Sequence, residues 1–164
     1  MIKSLRSNIA RGRVNFAGQG LAVALSSCVV AAQTLPNFSG TWEQITSSDP
    51  LITSQELTAV QTTTTLTVGH PSPKGGHQFV YNLDGSEVRS TLMNIQSVAR
   101  VTIQGDKLTI ARTDNYPDGR IRENTQVWSL DSAGNLVIDS ADGTKGGPPT
   151  VRKVVYKKRL LIKG

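Results

Sequence analysis

Asn37-Phe38-Ser39-Gly40-Thr41-Trp42 decides how this 164-residue chain is read. It leads into a strand, and it comes only a few residues after a stretch with the pattern of an export signal. Upstream of it, Lys3, Arg6, Arg11 and Arg13 precede any acidic residue, and an apolar run extends from Leu21 to Ala32. Val30-Ala31-Ala32 puts small residues at the −3 and −1 positions of a cut before Gln33. Residues 1–32 are therefore expected to be a removed signal peptide and 33–164 one β-barrel domain. The expected address is secreted or periplasmic. Ser26, Ser27 and Cys28 interrupt the apolar run, which falls short of the ~20 apolar residues of a membrane-spanning helix.

The chain has one cysteine. Leu25-Ser26-Ser27-Cys28 resembles the lipobox of bacterial lipoproteins, so the alternative address is a lipoprotein anchored through Cys28. A better cut lies downstream, and a chain beginning at Gln33 has neither disulfide nor thiol chemistry. The formal charge of +6 is uneven. Removing four of the 18 basic residues leaves 14 against 12 acidic ones, and six of those 14 fall between Arg152 and Lys163. Overall basicity is thus no argument for nucleic acid. The basic C-terminus suits contact with an envelope or anionic surface, or an edge strand whose lysines block edge-to-edge pairing.

Downstream of Trp42 the hydrophobic period is two. Ala99, Val101 and Ile103 alternate with Arg100, Thr102 and Gln104, and Leu108, Ile110 and Arg112 alternate with Lys107, Thr109 and Ala111. Thr62 to Val68 is rich in β-branched residues. Asp84-Gly85, Gly105-Asp106, Pro117-Asp118-Gly119 and Ala133-Gly134-Asn135 supply turn chemistry between strand-like runs. Strands are expected near 40–46, 58–68, 77–83, 86–92, 97–104, 107–114, 121–130, 135–140 and 150–158. A short helix is expected near Thr53 to Ala59, capped by Ser54, and long loops from Gly69 to Gly76 and from Ala141 to Pro149. The fold class is all-β: an antiparallel up-and-down barrel of about 8–10 strands. A sandwich is the alternative.

Phe38-Ser39-Gly40-Thr41-Trp42 resembles the Gly-X-Trp opening of the lipocalin and fatty-acid-binding-protein superfamily. More closely, the chain resembles small exported bacterial proteins that share several further motifs. These are the turn Tyr81 to Gly85, the hairpin Gly105 to Leu108, the strand end Trp128 to Asp131, Gly134 to Val137, and the closing strand Val155 to Lys158. The resemblance implies a lipocalin-like barrel holding a hydrophobic ligand, and no particular activity. It implies that Gly40 and Trp42 form the barrel floor, with Arg152 or Lys153 of the last strand packed on the tryptophan. The Arg-X-Tyr carboxylate anchor of fatty-acid-binding proteins is missing, because Val154 stands two before Tyr156. A lid of two helices has no room between Gln44 and Val60.

The candidate ligand contacts are Trp42, Phe79, Tyr81, Arg112 and Trp128. Asn124, Gln126, Trp128 and Leu130 share a strand face, which suits either a mixed cavity or the solvent side of a wall. Arg112 shares a face with Leu108 and Ile110, where a buried guanidinium needs a carboxylate partner from protein or ligand; its place near the strand end points instead to a side chain that snorkels to water. Glu87, Arg89, Arg122 and Glu123 are expected to form exposed cross-strand pairs. His70 and His77 read as solvated loop histidines, too few for zinc, so no metal and no cofactor are expected. No nucleophile elbow, phosphate loop, zinc or flavin motif is present. The leading expectation is a monomeric envelope binding module for a small apolar or amphipathic molecule. The alternatives are an envelope interaction protein with a filled barrel and, further off, a barrel hydrolase or isomerase. No catalytic residue is assigned.

Overall fold

The computed structural model describes residues 35–49, 55–72 and 76–160. The signal segment and Cys28 lie outside the described residues. Ten strands follow one another: β1 (Gly40–Ser47), β2 (Glu56–Gln61), β3 (Thr65–His70), β4 (His77–Asn82), β5 (Val88–Leu92), β6 (Ile95–Gln104), β7 (Lys107–Asn115), β8 (Ile121–Leu130), β9 (Leu136–Thr144) and β10 (Thr150–Lys158). They form one antiparallel sheet in the order β4-β3-β2-β1-β10-β9-β8-β7-β6-β5. Pairing of β1 with β10 joins the first strand to the last. The result is a nearly closed up-and-down barrel, interrupted by a slot between β4 and β5, which do not pair.

Three local expectations fail, each for a physical reason. Glu56–Gln61 is strand rather than helix: Leu57 and Ala59 are buried while Val60 points outward, a period of two. The threonine run is not one strand. The Thr62 hydroxyl accepts hydrogen bonds from the Thr64 and Thr65 amides at 3.2 and 2.9 Å and folds the chain into a turn. The loops around Gly69 and Ala141 are shorter than expected. β3 runs to His70, β4 starts at His77, and β9 continues to Thr144.

Strand direction defines two ends. The turns after β2, β4, β6 and β8 lie at the Trp42 end, and those after β1, β3, β5, β7 and β9 lie at the other. The Trp42 end is filled. Phe38, Trp42, Leu57, Leu66, Leu108, Trp128 and Leu136 are all buried to within 1%. Phe38 caps this end, with its ring edge-on to Trp128 at 5.9 Å and its carbonyl accepting the Trp42 Nε1–H at 2.9 Å. Toward the opposite end the inward positions turn polar. Ile110 and Gln126 are cross-strand partners, as are Arg112 and Asn124. Ser140 and Asp142 follow beside them on β9.

Candidate ligand-binding site

The polar half of the interior centres on Arg112. Its strand carries Leu108, Ile110, Arg112 and Asp114 on one face, so the alternation that buries the two aliphatics also carries a guanidinium and a carboxylate inward. Asp114 is held from two sides: Ser97 Oγ donates to Oδ1 at 2.6 Å, and Arg112 Nη2 lies 3.2 Å from Oδ2. Arg112 Cζ lies 5.0 Å from the centroid of the Phe79 ring. Phe79 in turn stacks on Tyr81, with centroids 6.4 Å apart. Asp114 contacts the guanidinium through Nη2, whereas Nε is buried and has no hydrogen-bond partner. A buried N–H without an acceptor is costly in a folded protein.

Two clefts meet at this arginine. One, about 170 Å³, opens at the polar end and is lined by Phe79, Leu92, Met93, Ile95 and Tyr116 around Ser97, Arg112 and Asp114. The other, about 250 Å³, lies in the slot between β4 and β5, with Phe79, Tyr81, Val88 and Ala99 among its walls and Arg112 and Ser97 behind. Met93 sits exposed at the mouth of the first cleft, on the β5–β6 hairpin, with Met93 and Asn94 both at positive φ (49° and 63°).

His70 and His77 are strand residues, directly opposite in the β3–β4 register, with rings 6.1 Å apart. His77 is also edge-on to Phe79 at 5.8 Å. Burial holds the His70 pKa below its ordinary value, helped by His77 and Arg112. Burial likewise pushes the Tyr81 phenol up, against the opposing pull of Arg112. A pair of imidazoles facing a guanidinium is a poor cation site, and no group of three metal-ligating side chains occurs among the described residues.

Of the five sequence-named contacts, Phe79, Tyr81 and Arg112 converge here. Trp42 and Trp128 line neither cleft and belong to the filled end. Trp128 faces inward, its Nε1–H bonded to Gln126 Oε1 at 3.0 Å, which gives the neighbouring amide its function. Gly40 stands at the floor, but the basic group over Trp42 is Lys158, with Nζ 5.5 Å from the ring centroid. Arg152 instead pairs with Asp49 at 2.9 Å and approaches Asp142 at 3.8 Å, near the opposite end of the same strand. Glu87 pairs with Arg89 and Arg100, whereas Arg122 pairs with Asp142. Sequence reasoning missed Ser97, Asp114 and the Leu92–Ile95 hairpin. Extending the alternation by one step on β6 and on β7 reaches Ser97 and Asp114. The expected strands near 86–92 and 97–104 place the hairpin, but nothing in them points to a role at a binding site.

No protein-family model matches the sequence, and no curated protein matches it. Among solved structures the chain is similar to human cRBP IV, with a TM-score of 0.55 and 14% identity over 76% of this chain and 99% of that one. The fold is lipocalin-like. Within this lipocalin-like barrel, the connection between β1 and β2 spans only residues 48–55.

Proposed function

We propose that this protein binds a small organic anion in the polar half of its barrel, with Arg112 as the charged anchor and Phe79 and Tyr81 as the aromatic wall. The observation that carries this reading is Arg112, which lines both clefts and whose buried Nε has no hydrogen-bond partner. An acid group at the cleft-facing side of the guanidinium adds charge-assisted hydrogen bonds to the single contact that Asp114 makes through Nη2. The similarity to a lipocalin-type protein supports small-molecule binding at the level of fold. The basic stretch followed by an apolar run in residues 1–32 supports export, so the proposed setting is the cell envelope, with lipid anchoring through Cys28 as the alternative address.

The test is a native mass spectrum of the protein purified from its own envelope. A noncovalent adduct that is lost on denaturation, and lost again in Arg112→Gln, is the expected result. A bare mass in both proteins overturns the reading. That outcome favours the second one, an envelope interaction protein, which draws on the solid packing of the Trp42 end.

A further inference from the structure

We infer that the ligand is a compact organic monocarboxylate, a single ring or short branched chain carrying one acid group, and that this barrel excludes long-chain lipid acids. The inference rests on the anion-binding reading above and adds the size and shape of the molecule.

Three observations carry it. First, the interior beneath the arginine is closed. Going from Arg112 toward the floor, the next inward residues on β7 are Ile110 and Leu108, exposed by 2% and 0%. Trp128, opposite Leu108, is likewise fully buried. None of these residues, nor Trp42, lines either cleft. A tail running from Arg112 down the barrel axis meets packed side chains.

Second, the interior beside the arginine is polar. Asn124 lies opposite Arg112, and Asp142 lies opposite Asn124. Asp142 is committed to Arg122 and Arg152. A hydrocarbon chain laid across this wall strips water from amides and ion pairs and offers them nothing in return, an unfavourable exchange.

Third, the apolar space that remains is small and lies on the aromatic side. The two clefts, about 170 and 250 Å³, share Phe79, Ser97 and Arg112. Joined at these residues, they lie near the lower end of the ~300–1,000 Å³ range of small-ligand pockets. An acid at Arg112 therefore projects its apolar body along the Phe79 ring, either up toward Leu92, Met93 and Ile95 or out through the β4–β5 slot toward Val88. A flat ring suits the Phe79 and Tyr81 faces, because stacked and edge-on aromatic contacts add to burial.

The experiment is calorimetric titration of the natural chain with phenylacetate, hexanoate and palmitate (the last below its micelle concentration), and with 2-phenylethanol as the uncharged control. Phenylacetate and hexanoate are expected to bind, palmitate no more tightly than hexanoate, and 2-phenylethanol roughly tenfold or more weakly than phenylacetate. Affinity that climbs with chain length through palmitate, and is lost in Arg112→Gln, overturns the size inference while leaving the anion site standing. Absence of binding by every carboxylate, or binding indifferent to Arg112→Gln, overturns the anion reading and this inference with it. The ligand series uses the unmodified protein, so a folding defect in the variant does not obscure the size result.

Discussion

The Arg112 guanidinium faces the Phe79 ring at 5.0 Å across the polar end of the barrel, although the two residues belong to strands on opposite sides of the β4–β5 slot. This contact spans the one place where the sheet has no ladder hydrogen bonds. It joins an anion anchor on β7 to an aromatic wall on β4.

Phe79→Leu keeps the bulk and removes the ring. A partly desolvated cation–π contact contributes roughly 0.5–2 kcal/mol. The variant is expected to unfold at slightly lower denaturant and to bind phenylacetate several-fold more weakly. Urea melts and calorimetry on the same preparation separate the two effects. Unchanged affinity removes Phe79 from the binding wall.

Lys158, rather than Arg152, is expected to control the surroundings of Trp42. Lys158→Met should shift the tryptophan emission, whereas Arg152→Met should leave it in place, because Arg152 is engaged with Asp49 and Asp142. Arg152 is part-buried in its pairs with Asp49 and Asp142, so that variant should lose on the order of 1–3 kcal/mol of stability. Gly40→Ala is expected to be worse than Lys158→Met. A Cβ there meets Lys158 Cε at 2.6 Å, and the backbone stands at φ +154°. Alanine at a positive φ costs more than about 1 kcal/mol, and trimming Lys158 does not recover that part.

Trp128 is the largest test of the filled end. It is fully buried, edge-on to Phe38 and bonded to Gln126. Trp128→Ala should cost about 3–5 kcal/mol, a large share of the roughly 5–15 kcal/mol by which domains are stable. A fall in denaturant midpoint with an unchanged slope is the expected signature. A loss below about 1 kcal/mol would mean that this end of the barrel is loosely packed.

His70 makes stability pH-dependent in a definite direction. Its folded pKa is lowered from the ordinary 6.5 by burial, then by His77 and Arg112. The unfolded chain therefore takes up the proton first on acidification. The contribution is complete above pH 6.5 and is lost as pH falls from there through the folded value. Melting temperature should drop between neutral and mildly acidic pH, and His70→Gln should flatten that slope. An unchanged slope in the variant assigns the acid sensitivity to other groups.

Much of the architecture was legible in the chain. The alternation along β6 and β7 and the Gly-Asp and Asp-Gly turns are local properties, fixed by the pleat and by the positive φ that glycine tolerates. The failures were local too. Leu57 and Val60 mimic a helical stripe, yet their side chains lie on opposite faces of a strand. Thr62 looks like β-branched strand filler until its hydroxyl captures two amides. The histidines were assigned to a loop because the Gly-Pro-rich segment between them hides where β3 ends and β4 begins.

The sequence by itself determined the all-β class, most strand positions, and the strand face that Arg112 shares with Leu108 and Ile110. Only the tertiary structure decided which side chains meet. Ser97 reaches Asp114 across 17 residues and Arg152 reaches Asp49 across 103. Lys158 takes the place beside Trp42 that the sequence reading assigned to Arg152 or Lys153. The physical reason is that alternation belongs to one strand, whereas the summed twist and register of ten strands decide how far the sheet curls and where it fails to close. That unclosed slot, with a charged arginine behind it, is what turns a packed barrel into a candidate binding site.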